Sequence, residues 1–417
     1  MKHTGIVRLL FIIIGLSSLS LGFAQEKEVT ANDAVVTDSV PIPAAKRPEA
    51  ILGRGYTIRS KNNKFSIRFR PRIQTNLEAS FDENFDKTES NIEIKNLRLN
   101  MNGHLFSPKL LFALQFYFAQ SESKKIVNGN ANKLGVAALS YMFNDTWLVS
   151  VGQHTTLYYR PYNATIQGLE FTDRSIAATT FNTGQDIGIF ADYRHKIAGN
   201  VTMRGKAAIT MGEGRNWWFA KSNSGLSYIG RVEVYPFGWF KGGGDRFEGD
   251  LLYEETPKLI VGLGYCYNDR AVRLNGQSGS IMPDNESRTL RQYYLDLFMK
   301  YRGFSFATDF MGRNCDNPLF ESNSTMAVFT GKGLNVQASY VFPHRWSLAM
   351  RNATVFVDEE IRSVKGYKRN NQTSLSLIKY IVGHNVKAIA EASHYHRKEA
   401  VDAYTRWTFR FQLEVGI

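Results

Sequence analysis

Between Ile92 and Gln120 the chain reads IEIKNLRLNMNGHLFSPKLLFALQFYFAQ, two alternating arms around Ser107-Pro108-Lys109. On the first arm Leu97, Leu99, Met101, Gly103 and Leu105 alternate with Asn96, Arg98, Asn100, Asn102 and His104. On the second, Leu110, Phe112, Leu114, Phe116 and Phe118 oppose Ala113, Gln115 and Tyr117. A period of two belongs to a strand and cannot be laid along a helix. Each arm is about ten residues long with its bulky apolar groups on one face, which either a soluble sandwich core or lipid could accept.

The same alternation recurs to the end of the chain. Phe65, Ile67, Phe69, Ile73 and Leu77 alternate with Arg68, Arg70, Arg72, Gln74 and Asn76. Further runs fall at about 134–143, 147–154, 186–194, 200–211, 226–235, 258–267, 290–301, 304–312, 333–342, 345–357, 372–382, 385–395 and 405–417, giving about sixteen strands in all. Tight connections alternate with long polar ones, as in an up-and-down barrel with short periplasmic turns and long outer loops. Pro236 to Pro257 breaks this rule, a long connection where a tight turn is expected. The last run sets Trp407, Phe409, Phe411, Leu413, Val415 and Ile417 against Arg406, Thr408, Arg410, Gln412 and Glu414, and a soluble sandwich seldom ends on its most apolar strand. Aromatics near strand ends, among them Tyr141, Trp147, Trp239, Tyr301 and Trp346, sit where interfacial girdles belong. Lipid is therefore the expected outer medium, and a closed sheet is required because open edges cannot be satisfied in hydrocarbon. The expected fold class is all-β, a transmembrane up-and-down antiparallel β-barrel.

Residues 1–24 read as a signal peptide, with Lys2 and Arg8 before the apolar run Leu9 to Leu21 and small residues at Gly22-Phe23-Ala24. Residues 25–64, broken by Pro41, Pro43 and Pro48, read as a flexible periplasmic segment, and 65–417 as the barrel domain. The formal charge of +13 favours anionic partners. Export makes nucleic acid an unsuitable one. Cys266 and Cys315 are too few for a disulfide framework, and a bridge between them stays open.

Glu93-Ile94-Lys95, Leu97-Arg98-Leu99 and Gly103-His104-Leu105-Phe106-Ser107-Pro108-Lys109 form a recognisable strand, turn and strand. With Val151-Gly152-Gln153, Phe171-Thr172-Asp173-Arg174-Ser175, Asp186-Ile187-Gly188 and Arg231-Val232 following in order, the sequence resembles the phosphate-selective porin O/P family in its Bacteroidetes-type form. The resemblance runs from about residue 55 to the C-terminus. It departs at Asn96, where a basic residue is common, and at His154-Thr155. It implies a homotrimeric, sixteen-stranded channel in the bacterial outer membrane, passing small phosphate-like anions through an arginine-lined pore.

With apolar faces on lipid, the opposite faces assign Arg68, Arg70, Arg72, Arg98, Arg204, Lys206, Arg231, Arg406 and Arg410 to the lumen as an anion ladder. Closure of the last strand on the first sets Arg406 and Arg410 on the wall of Arg68, Arg70 and Arg72. The competing expectation is that these cations pair with Glu78, Glu233, Asp296, Asp309, Glu391 and Glu414 and stiffen the wall. Residues 155–185 form the third outer loop, with Tyr158, Tyr159, Arg160, Asp173 and Arg174 as candidate constriction residues; an anchoring role for Asp173 and Arg174 is the alternative. His394 and His396 share one side of a strand, as in a solvated strand end or a metal pair. No phosphate-cradling glycine loop, zinc motif or nucleophile elbow is present, so neither cofactor nor catalysis is expected. The expected function is a passive porin for small solutes with a preference for anions, phosphate or polyphosphate among them, in contact with outer-membrane lipid and lipopolysaccharide. The alternative is a plugged barrel acting through its surface loops as an adhesin or structural protein.

Overall fold

The computed structural model describes residues 53–417 except 54, 120–121, 123, 126–130, 157–159, 161–164, 217–224, 365 and 398–403. The leader expected at 1–24, the segment 25–52, Tyr158 and Tyr159 lie outside the described residues. Sixteen antiparallel strands close into a barrel. They are β1 (Phe65–Phe81), β2 (Lys87–Leu105), β3 (Ser107–Tyr117), β4 (Leu134–Met142), β5 (Trp147–Thr155), β6 (Gln185–Ala198), β7 (Val201–Thr210) and β8 (Ser227–Tyr235). The second eight are β9 (Lys258–Ala271), β10 (Arg288–Tyr301), β11 (Phe304–Cys315), β12 (Gly331–Phe342), β13 (Trp346–Val357), β14 (Asn370–Val382), β15 (Val386–Arg397) and β16 (Tyr404–Gly416).

Each strand pairs with its sequence neighbours, and β16 closes on β1 from Trp407↔Phe81 to Gly416↔Arg72. Closure satisfies every edge at membrane depth, the condition lipid imposes on a sheet. Alternation decides the two faces as expected: Leu139, Val151, Ile189, Leu263, Leu295, Met350, Leu375 and Leu377 are exposed on the outer wall. Gln292, Asp296, Asp309, Ser376 and Glu391 are buried on the inner one.

Part of the segment read as flexible is a strand. Tyr56–Arg59 pairs antiparallel with β1 from Tyr56↔Phe69 to Arg59↔Ser66, on the edge that β16 uses farther up. Pro71 lies between the two partners. Its carbonyl accepts the Ile417 amide at 3.1 Å, so its missing N–H faces the same gap, the place in a sheet where proline costs no ladder bond.

Two connections fill the barrel instead of leaving it. The segment after β5 enters with a 3-10 turn, Ile166–Gly168, and a short helix, Ile176–Thr180, whose N-cap Ser175 accepts from the Ala178 amide at 3.1 Å. From the periplasmic end, 236–257 also folds inward, through a 3-10 turn at Lys241–Arg246. Gly242 (φ 55°) and Gly243 (φ 66°) supply the left-handed backbone that lets it double back. Its length, anomalous for a turn, is that of an element of the pore.

Both cysteines are free: Cys266 is buried beside Ser227, and Cys315 ends β11. His394 and His396 stack at 6.4 Å on the outer face, where His394 also meets Trp407 at 4.5 Å.

Candidate pore and constriction

Strand parity turns Arg68, Arg70 and Arg72 inward near the periplasmic end of β1. Arg68 Nε donates to Thr57 Oγ1 of the short N-terminal strand (3.2 Å) and Arg70 to Asn102 Oδ1 (2.8 Å). Arg72 pairs with Glu414, which also accepts from Gln74 (2.7 Å) and lies 3.7 Å from Lys387. Asn96 is bonded to that Gln74 and faces no solute. Arg98 is the cross-strand neighbour of Arg72. It pairs with Glu122 and lies 4.7 Å over Tyr117, a ring that Arg215 also approaches at 4.7 Å.

The closing register separates the arginines that parity puts on one wall. Arg410 stands opposite Glu78, six residues above Gly416, which is opposite Arg72. At about 3.3 Å per residue the two arginine groups are roughly 20 Å apart in height. Arg410 bonds Glu78 (2.6 Å) and approaches Glu391 (3.5 Å), and Arg406 lies 5.3 Å over Tyr395.

Across β6–β12 the inner wall carries a belt of alternating charge. Arg204 pairs with Asp192, Lys206 with Glu233 (3.3 Å), and Arg231 with Glu233 (2.8 Å) and, through both terminal nitrogens, Asp296 (2.6 and 2.9 Å). Arg160, at the start of the inward loop, is 3.6 Å from Asp309 and stacks over Phe298 at 4.6 Å. Among the described residues, Arg72, Arg98, Arg204, Lys206, Arg231 and Arg410 of the ladder each have a carboxylate partner.

The inward loop is held by the wall of β12–β15. Glu170 accepts from Ser347 (2.6 Å) and Tyr380 (3.1 Å), and its carbonyl takes the Ser376 hydroxyl (2.6 Å). Burial pushes its carboxyl pKa up, against the hydroxyl bonds from Ser339, Ser347 and Tyr380. Thr172 donates its amide and hydroxyl to Glu391 (2.7 and 2.8 Å), Ile176 its amide to Gln372 (3.0 Å), and Lys387 reaches the Gln167 carbonyl (2.8 Å). Farther round the same wall, past β16 and β1, Lys95 of β2 also holds Asp173 (2.9 Å) and the Thr172 carbonyl (3.1 Å). Asp173 also accepts the Arg174 amide (2.9 Å).

The periplasmic turn meets this loop from below. Glu248 donates its amide to the Gly168 carbonyl (2.8 Å) and accepts the Glu170 amide (2.8 Å). Lys300 clamps the turn through the Gly244 and Gly249 carbonyls (2.9 and 2.8 Å). A Cβ on Gly249 would lie 2.5 Å from Glu170 Oε1 and 2.7 Å from the Tyr380 hydroxyl, so no larger residue fits this junction. Lys95, Glu122, Asp192, Lys300 and Lys387 escaped sequence reasoning. Strand parity turns Lys300 and Lys387 inward, where they bond backbone carbonyls of distant segments.

Residues 65–235, spanning β1–β8, match the family described as phosphate-selective porin O and P. No curated protein matches the chain. Among solved structures, an anion-selective porin from Comamonas acidovorans is similar at 11% identity and TM-score 0.52, with 85% of this chain and 100% of that one covered. The outer-membrane channel DcaP of Acinetobacter baumannii is similar at 14% identity and TM-score 0.50, with 86% and 99% covered. These likenesses extend the porin architecture over strands that the family match leaves out. The chain is a channel-forming β-barrel of the bacterial outer membrane, and its first eight strands carry the phosphate-selective porin O and P match.

Proposed function

We propose that this barrel is a passive porin for small solutes that prefers anions, phosphate-like ones included, and works as a homotrimer. The observation that carries the preference is how three ion pairs of the inner wall are layered. Arg72 is 11% exposed and its partner Glu414 0%, Arg98 is 17% and Glu122 8%, and Arg204 is 18% and Asp192 14%. In these pairs the guanidinium is the more exposed partner, narrowly so at Arg204, and favours a passing anion, whereas at Arg410 the carboxylate of Glu78 is the more exposed (10% against 20%). Arg70 and Arg406 add cations whose contacts are an amide and an aromatic ring. Guanidinium donors suit phosphate and carboxylate oxygens. The inward loop narrows the route past these groups.

The test is the reversal potential of the purified protein in a planar bilayer under a potassium chloride gradient. The reading requires anion over cation permeability, reduced in the double variant Arg70→Gln/Arg406→Gln. A charge about 6 Å from the ion path is worth roughly 0.4 kcal/mol after screening in 0.1 M salt, so the permeability ratio should fall about tenfold for the two changes together. An unchanged reversal potential refutes the preference. Absence of conductance from the unmodified protein refutes the porin reading itself.

A further inference from the structure

The periplasmic rim between β9 and β14 carries cations that the pore does not use. Lys258, Arg302, Arg345 and Lys379 sit at or beside strand ends, and among the described residues none has a carboxylate within ion-pair distance. Their polar contacts are to backbone carbonyls: Lys258 to Phe237 (2.8 Å), Arg345 to Ile381 (3.5 Å) and Lys379 to His344 (2.7 Å). Two of them lie on outward-facing rings, Lys379 4.9 Å from the Trp346 centroid and Arg302 5.3 Å from that of Tyr301. Trp346, Tyr340, Phe342, Phe304, Trp239 and Phe237 are exposed along the same arc. The carboxylates of the arc are engaged elsewhere. Asp250 and Glu254 are buried in the inward turn, and Glu255 pairs with Lys241 at 3.2 Å.

We propose that this arc binds the headgroups of anionic phospholipids in the periplasmic leaflet. Exposed aromatic rings mark the depth of the membrane interface, and a cation held over such a ring is fixed at headgroup level. Lysine and arginine stems lie along the apolar wall while their charged ends reach the phosphates. The turns carrying Arg302 and Arg345 are two strands apart, about 10 Å, the width of one headgroup and its neighbour. A surplus of unmatched positive charge selects phosphatidylglycerol over the zwitterionic phosphatidylcholine, by about fivefold or more at low ionic strength.

The test reconstitutes the full chain in vesicles and compares tryptophan quenching by dibrominated phosphatidylglycerol with that by dibrominated phosphatidylcholine. The expected result is a preference of about fivefold for the anionic lipid in low salt, lost at 1 M salt, where the Debye length is about 3 Å. The triple variant Arg302→Gln/Arg345→Gln/Lys379→Gln should quench equally with both lipids. Heat-modifiable electrophoretic mobility confirms that the barrel has formed, and Arg345→Gln alone, at an exposed turn, serves if the triple variant does not fold. Equal quenching of the native protein by the two lipids overturns the proposal. So does a variant that keeps the lipid preference while its ion selectivity shifts, because the rim charge would then serve the pore mouth.

Discussion

Glu170→Ala should release the inward loop while leaving the barrel intact. The carboxylate accepts the hydroxyls of Ser347 at 2.6 Å and Tyr380 at 3.1 Å, both almost wholly buried; Ser347 keeps a second acceptor in the Tyr340 carbonyl at 3.2 Å, so Tyr380 is the donor that loses its partner. An orphaned buried donor costs about 1–3 kcal/mol, so this loss lowers the stability of the docked loop by about 2 kcal/mol. That shift corresponds to a rise of roughly 30-fold in the undocked population. The strand ladders do not depend on Glu170, so the opening is local. Hydrogen exchange read on amides 166–181 should lose protection by a factor of about 30, while those of β12–β15 keep theirs. In a bilayer the single-channel conductance should rise and fluctuate. Glu170→Gln, which retains one acceptor, should fall between the two. Unchanged protection and conductance in Glu170→Ala would refute the reasoning and shift the anchoring to Thr172–Glu391 and Lys387.

Arg231→Met should lower the thermal stability of the folded barrel by about 3–5 kcal/mol, read from the shift of its heat-modifiable unfolding, because it strands the buried Asp296 carboxylate without its guanidinium and leaves Glu233 to Lys206 alone. Gly249→Ala should separate the periplasmic turn from the loop, since its methyl would press on Glu170 and Tyr380; limited proteolysis within 241–257 is expected to accelerate with the barrel itself still resistant.

What the sequence declares is local. Alternation along each strand is a property of neighbouring residues, so the strand set, the face of each side chain and the inward direction of Arg68, Arg98 and Arg231 could all be read from it. Register between the first and last strands is not local. It depends on the shear with which the barrel closes, and this is why Arg406 and Arg410 share a wall with Arg68, Arg70 and Arg72 at a very different height. The partners of the loop were equally hidden: Lys95 and Asp173, or Lys387 and the Gln167 carbonyl, are joined by tertiary packing alone. Tyr56–Arg59 escaped because four residues among glycines and lysines offer too short a pattern, and only the vacant edge of β1 makes them a strand. The excess length of 236–257 was visible, whereas its direction was not.

The divided edge of β1 bears on how the barrel is assembled. One side of this strand zips continuously to β2, its immediate successor, and needs no distant residue. The other side is a splice, completed by β16 above Pro71 and by Tyr56–Arg59 below it. The lower half of the splice is a hairpin that forms as soon as β1 exists; the upper half must wait for a strand more than three hundred residues later, as the Arg72–Glu414 pair makes plain. A half-built sheet therefore already has its periplasmic corner sealed, and the last strand has a single unclaimed stretch on which to land. Pro71 divides the two, a stop that keeps the early hairpin from running upward into the berth reserved for β16.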